Sequence, residues 1–327
     1  MNESPEKLTF SVMLATRNRR DELQRTLTKL SGLDPKPHEV LICADGCTDD
    51  TVAMVRREFP SFSLLENISS QGSVASRDRM LRAATGEIMV SLDDDSYPID
   101  ADFLSRLERV LQLHPEAAVI TFAELRGPDS ILSGPTEDLQ RGHYVAAYPN
   151  CATAMRRILY GRVGTFPKFF RHMYEEPDYA LQCYGRGFGV WFEPSLKVRH
   201  HLTVTRRESI PRHHLNARNE LWSVLLRCPW PWLPLVAAYR VVRQFIYAGS
   251  QGFAWVYREP RWWMMAAREF FTVWAHRSPV SWRSYAGWLR LSRQPISERD
   301  DLQRAFGSQA ENASAAPAKI PRAQTES

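Results

Sequence analysis

The chain has 327 residues, 44% of them hydrophobic and 24% charged, which is enough for a sizeable core in one large or two small domains. A net charge of +5 at pH 7 favours anionic partners such as nucleotides or acidic lipids, and we predict no nucleic-acid partner. The five cysteines are scattered without zinc spacing, so we expect reduced thiols in a cytoplasmic protein. No signal peptide is predicted, and no apolar run reaches the ~18 residues of a membrane-spanning helix.

The first hundred residues alternate between strand and helix patterns. Short Val- and Ile-rich runs indicate buried strands, and leucines at helical spacing indicate helices between them. The predicted strands are Leu8–Ala15, Glu39–Ala44, Phe62–Glu66 and Glu87–Leu92, and the predicted helices are Asp21–Leu33, Thr48–Phe59 and Ser73–Thr85. This alternation predicts an α/β fold, with a doubly wound, mostly parallel sheet flanked by helices.

The pattern changes after the fourth predicted strand. The predicted elements there are a helix over Asp102–Leu113, a strand over Ala117–Ala123, a long loop over Arg126–Tyr144 and a strand over Trp191–Val198. Beyond Arg206, tryptophans and apolar stretches alternate with arginines, which predicts a helical C-terminal extension. The segment 307–327 is rich in Ala, Ser, Pro and Gln and is predicted to be disordered.

The most informative motif is the run Asp93, Asp94 and Asp95 at the end of the fourth predicted strand. In open α/β sheets, ligands gather where parallel strands end at their carboxyl edge. Three adjacent carboxylates repel one another there, and a divalent cation bridging to phosphate relieves that repulsion. Because an acidic turn or a helix cap has the same composition, this motif alone leaves both interpretations open.

Further polar residues follow the neighbouring strands. Thr16 and Asn18 come directly after strand one, where a nucleotide can lie. Asp45 ends strand two and is well placed to accept a hydrogen bond from the imide N–H of a uracil. Arg77 lies on the helix after strand three, where it can meet a base or a phosphate. Each residue also fits an ordinary turn or a solvated helix, but their joint order favours a nucleotide site.

A second acidic cluster contains Glu175, Glu176 and Asp178. Its structural interpretation is the first turn of a helix, because Pro177 suits that position and acids are favoured at the N-terminus. Its functional interpretation is a general base near neutral pH, because clustered acids raise one another's pKa.

These segments together resemble the inverting family 2 glycosyltransferases of the GT-A fold, which transfer sugars from nucleotide-activated donors. The resemblance covers roughly residues 8–205. The segments that carry it are Ser11–Arg19, Ile42–Asp49, Gly72–Asp78, Ala84–Asp95, Glu175–Tyr179 and Pro194–His200.

The resemblance implies a role for each candidate residue. Asp93, Asp95 and His200 are expected to hold Mn²⁺ or Mg²⁺ on the donor diphosphate. The expected nucleotide-sugar contacts are Thr16, Asn18, Asp45, Arg77, Asp93 and Asp94. Glu176 is the expected base that deprotonates the acceptor hydroxyl, and Asp178 is expected to orient that site or bind the acceptor.

Two departures leave the register open. Glu176 stands where the family usually has Asp, so either Glu175 or Glu176 can be the base. Ala44 replaces a frequent Asp, and His201 beside His200 creates a similar ambiguity, although the spacing favours His200.

The predicted function is therefore metal-dependent inverting transfer from a UDP-sugar to a hydroxyl acceptor, in surface polysaccharide or glycolipid assembly. The alternatives are a sugar-phosphate nucleotidyltransferase and a non-catalytic nucleotide-sugar-binding scaffold. The expected division is a nucleotide-sugar-binding half over 1–100, an acceptor-binding and catalytic half over 101–205 and a Trp/Arg-rich helical region over 206–306. This last region either covers the sheet or lies on the inner face of the membrane, where a lipid-linked acceptor would reside.

Overall fold

The computed structural model describes residues 7–126, 131–132, 140–201 and 209–307. The strands in these ranges are β1 Phe10–Thr16, β2 Glu39–Asp45, β3 Ser63–Asn67, β4 Ile88–Asp93, β5 Ser96–Pro98, β6 Ala117–Arg126, β7 Ile131–Leu132, β8 His143–Tyr144, β9 Ala152–Arg156 and β10 Gly189–His200. The α-helices are α1 Arg20–Ser31, α2 Thr51–Glu58, α3 Ser73–Ala83, α4 Phe103–Leu113, α5 Glu175–Gly185, α6 Ile210–Arg227, α7 Leu233–Gln251, α8 Phe253–Val256, α9 Glu259–Arg268, α10 Phe270–Ala275, α11 Trp282–Leu291 and α12 Arg299–Phe306.

These strands form one sheet in the order β3-β2-β1-β4-β9-β6-β10-β5, with β7 beside β6 and β8 beside β10. The first four strands in this order pair in parallel, as do β6 and β10. Strand β9 runs antiparallel to both β4 and β6, and β5 runs antiparallel to β10. The predicted α/β class with flanking helices is confirmed. The sheet is mixed because β5 and β9, two strands that the sequence did not predict, run antiparallel to their neighbours.

The core forms because each element has one apolar face. Helix α1, for example, buries Leu23, Leu27 and Leu30 on a single stripe, as the spacing predicts. Each buried leucine contributes about 1.5–3 kcal/mol relative to exposure. The consequence for the site is geometric, since β1, β2 and β4 all end at the same edge of the sheet.

The predicted loop over 126–144 is only partly described. Its ends are the last residue of β6 and the strand β8, and Ile131–Leu132 pairs with β6 as β7. The rest of this segment, like the predicted disordered tail beyond residue 307, lies outside the described residues. Strand β10 is longer than predicted and ends at His200.

The helical C-terminal extension is confirmed by helices α6–α12, and no helix in the described ranges is both long and apolar enough to cross a bilayer. The tryptophans of this extension divide into two groups. Trp222 and Trp262 are buried, while others face solvent. The exposed large apolar side chains of α7–α10 are Leu235, Tyr239, Val242, Phe245, Ile246, Phe253, Trp263, Met264, Phe270, Phe271 and Trp274.

Candidate active site

The strand ends bring the predicted donor residues to one edge. The register pairs Ala15 with Asp93 across β1 and β4, so Thr16 and the acidic run lie side by side. The hydroxyl of Thr16 donates a 2.8 Å hydrogen bond to Asp94. His200 reaches the same edge from β10, because its neighbour His201 donates its backbone N–H to the carbonyl of Asp95 at 2.9 Å.

The three consecutive aspartates have different environments. Asp93 is the most exposed, with 36% of its side chain accessible, and it pairs with the buried Arg77. Asp94 is buried beneath Arg19, whose Nε lies 2.9 Å from Oδ1, and burial raises the Asp94 pKa to about 7. Asp95 lies 2.5 Å from Arg19 Nη2 and 3.0 Å from His200 Nε2.

Asp95 remains ionised because two cations face it. Burial works to raise the pKa of Asp95, but hydrogen bonding to His200 and the charges of His200 and Arg19 lower it below its ordinary value. His200 is held on its other side by Glu124, which accepts from Nδ1. Burial opposes the charge of His200, yet contacts to Asp95, Cys151 and Glu124 raise its pKa to about 12.

These residues fit a divalent cation. One carboxylate oxygen each from Asp93 and Asp95 and a ring nitrogen of His200 lie within 4.8 Å of one another. Two hard oxygen ligands and one imidazole suit Mn²⁺ or Mg²⁺. A carboxylate partner such as Glu124 on the far ring nitrogen is also the usual way to orient a metal-binding histidine. The structure therefore brings the three predicted metal ligands together, while Asp94 lies outside this group.

The second acidic cluster begins helix α5 beside the same edge. Glu175 is 2% exposed, accepts a 3.1 Å hydrogen bond from Asn150 and lies 3.8 Å from Arg77 Nη1. Glu176 is only partly buried. Burial and the charge of Glu175 raise the pKa of Glu176 to about 8, and Asp93 also acts on it. Of the two candidate bases, Glu176 is the less buried residue, and Glu175 is the one with a hydrogen bond from Asn150 and an ion pair with Arg77.

Asp178 does not face this site. Its side chain is fully buried, and it accepts hydrogen bonds from Gln182 at 2.8 Å, Ser223 at 2.7 Å and Arg227 Nη2 at 2.9 Å. The prediction that Asp178 orients the site or binds the acceptor stays a prediction, and in this structure both of its carboxylate oxygens accept hydrogen bonds from protein donors. Asp178 thereby joins α5 to α6.

Asp45 and Asn18 organise the loops at the edge. Asp45 is 5% exposed, and each of its oxygens accepts two hydrogen bonds, from Asn67, Ser70, Gln71 and Gly72. These bonds lower its pKa against the opposing effect of burial. A carboxylate has about four acceptor positions, so a uracil would have to share them. Asn18, at φ 54°, bonds to Thr48 through both its side-chain oxygen and nitrogen.

The loop before α5 is held from two sides. Met173 and Tyr174 have positive φ angles, and Asn219 of α6 donates to the carbonyl of Met173 at 2.7 Å. On the other side, the backbone of Gly72 passes so close to Arg171 that an added Cβ would lie 2.4 Å from its carbonyl oxygen. Only glycine fits there, which fixes the start of α3 against the loop that carries the glutamates.

Sequence reasoning missed several residues of this site, namely Arg19, Glu124, Asn150 and Asn219. Only Arg19 lies in a segment that the motifs singled out. The others are isolated polar residues whose contacts span 25 to 76 positions of the chain, as in the bonds of Asn150 with Glu175 and of Glu124 with His200.

A mixed α/β sheet with two aspartates, a histidine and two glutamates at one edge agrees with the predicted resemblance to glycosyltransferases of the GT-A fold. A sequence model described as Glycosyl transferase family 2 matches residues 11–157, the part of the chain from β1 to β9. The predicted resemblance is thus confirmed, and the chain is a glycosyltransferase. This finding favours the first prediction over the nucleotidyltransferase and scaffold alternatives.

Individual relatives are distant. The chain is 23% identical over 173 residues to WfaP of Escherichia coli, a UDP-Glc:alpha-D-GlcNAc-diphosphoundecaprenol beta-1,3-glucosyltransferase, and this match covers 52% of the chain and 67% of WfaP. S. aureus TarS residues 1–349 in complex with UDP-GlcNAc aligns with a TM-score of 0.59 and 17% identity, over 94% of this chain and 89% of TarS. The mannosyltransferase PcManGT from Pyrobaculum calidifontis, in complex with GDP-Man and Mn²⁺, aligns with a TM-score of 0.55 and 18% identity, over 89% of this chain and 88% of PcManGT.

Proposed function

We propose that this protein transfers a sugar from a UDP-sugar to an acceptor hydroxyl with inversion at the anomeric carbon and with the help of Mn²⁺ or Mg²⁺. The observation that carries the proposal is the convergence of the Asp93, Asp95 and His200 donor atoms within 4.8 Å, beside a glutamate whose pKa is raised to about 8. The proposed metal ligands and the proposed proton acceptor, Glu176, therefore lie at one edge of the sheet.

In this proposal, Asp93, Asp95 and His200 hold the metal ion, which supplies Lewis-acid neutralisation of the leaving diphosphate. Arg77 and Arg19 currently balance the charges of Asp93 and Asp95. Both guanidinium groups lie beside the proposed metal ligands and would be suited, by their forked geometry, to donate to the phosphate oxygens of a bound donor.

Glu176 acts as the general base in this proposal. Its carboxylate accepts the proton of the acceptor hydroxyl as that oxygen attacks the anomeric carbon from the face opposite the diphosphate. Glu175 positions the helix start through Asn150 and Arg77, and its charge keeps the pKa of Glu176 near the working pH. A single attack from behind produces inversion without a covalent intermediate.

The nucleotide is proposed to be uridine because Asp45 lies at the end of β2, where the family contacts uracil. The UDP-GlcNAc complex of TarS supports this choice, whereas the GDP-Man complex of PcManGT is the main argument against it. Competition between UDP, CDP and GDP for the donor site distinguishes a uridine donor from a guanosine donor, and UDP is expected to bind most tightly. A series in which GDP wins would reject the uracil contact.

The exposed apolar face of α7–α10 is proposed to lie on the surface of an anionic membrane. Between residues 230 and 277 the chain has six arginines and two acids, and one of those acids, Glu259, is fully buried. Arginines gain roughly 1 kcal/mol each near anionic lipid. A lipid-linked acceptor, the kind that the name of WfaP states for that protein, would be presented at this surface.

The proposed activity is tested by measuring nucleotide release from a panel of UDP-, GDP- and CDP-sugars with Mn²⁺ or with EDTA. Release from a UDP-sugar that requires the metal is expected. The Asp95→Ala variant should lose at least about 10³-fold in rate, since the metal contributes several kcal/mol. Asp21→Ala, an exposed acid on α1, is the matched control and should retain full activity.

A further inference from the structure

A cavity of about 580 Å³ lies between α6 and α7, outside the group of predicted site residues. Helix α6 lines it with Ser209, Arg212, His213 and Asn216, and helix α7 lines it with Arg243, Gln244 and Tyr247. The positions on α6 are spaced three and four apart, so they form one face that begins at the helix N-terminus. Met173, two residues before Glu175, closes the cavity on the side of the catalytic helix.

The lining of this cavity is suited to an anion. Among the described residues that line it none is acidic, its two arginines can only donate, and its other polar side chains can donate as well as accept. Arg212 is exposed and has no ion-pair partner in the described part of the chain. Arg243 shares the buried carboxylate of Glu220 with Arg240, which lies 3.0 Å from it, so two positive charges face one negative charge.

The cavity also adjoins an apolar surface. Leu235, Tyr239, Val242 and Ile246 form an exposed stripe on α7, at successive intervals of three and four residues. Arg243 follows Val242 directly and is turned by roughly 100° around the helix, so the cationic cavity borders this stripe. A ligand that fills both features has an anionic group joined to an apolar chain.

We propose that this cavity binds the phosphate of an amphiphilic phosphate ester, with Arg212 and Arg243 as its principal contacts. The inference rests on the proposed function, because it assigns the acceptor of the same site to the phosphate-linked lipids. Two sources carry this chemistry, namely the phosphate that links an acceptor sugar to its lipid and the headgroup phosphate of a bilayer lipid.

The first experiment is titration calorimetry with farnesyl diphosphate and with farnesol, in EDTA and without vesicles. Farnesyl diphosphate is expected to bind the wild type, and Arg212→Gln is expected to weaken it by at least about tenfold, since hydrogen bonds to charged groups are the strong ones. Arg212→Lys should restore part of this loss. Arg109→Gln, which removes an exposed arginine from α4, is the control and should bind like the wild type.

The second experiment is flotation of the wild type and Arg212→Gln with phosphatidylglycerol vesicles. A loss confined to farnesyl diphosphate identifies the acceptor phosphate, and a loss confined to vesicle binding identifies the headgroup phosphate. The proposal is overturned if Arg212→Gln changes neither, or if farnesol binds as tightly as farnesyl diphosphate. UDP binding with Mn²⁺ in the same preparations tests the proposed function separately, since it does not involve this cavity.

Discussion

The carboxyl edge of the sheet and the outer surface of α7–α10 differ in which side chains they bury: the first encloses charged groups, and the second exposes apolar ones. At the edge, charged groups such as Arg77, Asp94 and Glu175 are nearly inaccessible, and each has an oppositely charged or hydrogen-bonding partner. On α7–α10, large apolar groups such as Phe253 and Phe271 are each 83% exposed. Burying charge costs free energy unless it is paired, and exposing apolar surface costs free energy unless something covers it.

The difference teaches where to look for function in each region. A buried network of paired charges is informative through the members that face the proposed ligands, here Asp93, Asp95 and Glu176, while partners such as Arg77 and Asn150 hold them in place. An exposed apolar surface is informative through its extent and its surrounding charge. The predictions below test this distinction between positioning charges, reacting charges and apolar contacts.

The largest effect on stability is expected from a fully enclosed pair. Asp178→Ala leaves the guanidinium of Arg227 buried without its carboxylate, which should lower the free energy of unfolding by about 3–5 kcal/mol. Denaturant unfolding measures this loss. If Asp178 contacts the acceptor after all, the variant will instead be as stable as the wild type and show a raised KM for the acceptor.

The next effect concerns the reacting charge. Glu176→Gln should lower kcat by about 10²-fold or more while leaving donor affinity unchanged, because only proton removal is lost. Steady-state rates and UDP binding separate these quantities. Glu175→Gln is the comparison variant: its amide oxygen can still accept from Asn150, and the loss of its charge should move the pH profile of activity to lower pH without a comparable loss of kcat. An inactive Glu175→Gln beside a nearly active Glu176→Gln would assign the base to Glu175.

The apolar surface should respond through membrane binding alone. The double variant Phe253→Ser and Phe271→Ser is expected to weaken binding to phosphatidylglycerol vesicles by at least about tenfold, since a fully buried phenylalanine contributes about 1.5–3 kcal/mol and partial burial in the interface contributes a fraction of that. Its melting temperature should match the wild type. Leu113→Ser, a 75% exposed residue on α4, is the control and should bind normally. Unchanged flotation of the double variant would contradict the proposal that the apolar face of α7–α10 lies on a membrane.

A smaller effect is expected on the pH dependence of stability. The pKa of Glu176 rises from an ordinary 4.5 to about 8 on folding, so its stabilising contribution is complete below pH 4.5 and is lost as the pH rises through 8. Glu176→Gln does not titrate, and its melting temperature should gain about 2 °C or more on the wild type between pH 5 and pH 8.5. A difference between Glu176→Gln and the wild type that stays constant across this range would contradict the raised pKa.

The parts of this molecule that the sequence could predict are those that depend on local order. Asp94 and Thr16 meet because parallel strands end at one edge, and the strand patterns already predict that relation. The contacts of Glu124, Asn150 and Asn219 depend on how β9, β10 and α6 pack, which no local pattern contains. Strand β9 was missed because it is a short run whose place between β4 and β6 arises only from the tertiary fold.

Asp178 shows that a motif can locate acids in the sequence without fixing the direction in which each side chain points. It lies two residues after Glu176, and residues two apart on a helix point in nearly opposite directions. Once Glu176 faces the strand ends, Asp178 must face α6, where Arg227 and Ser223 bind it. The sequence predicts the acids and the helix, but their division between site and core requires the orientation of α5 against its neighbours.

The central claim is that the acidic strand end, with His200, is a metal-dependent nucleotide site. Calorimetric titration of UDP into the wild type and into Asp95→Ala, each with Mn²⁺ and with EDTA, tests it most directly. The account predicts that Mn²⁺ tightens UDP binding to the wild type by at least about tenfold and has no effect on Asp95→Ala, since a lost ligand costs more than the 10–100-fold typical of an outer-shell partner. Equal UDP affinity of the wild type with and without Mn²⁺, or a metal effect that survives in Asp95→Ala, would contradict it.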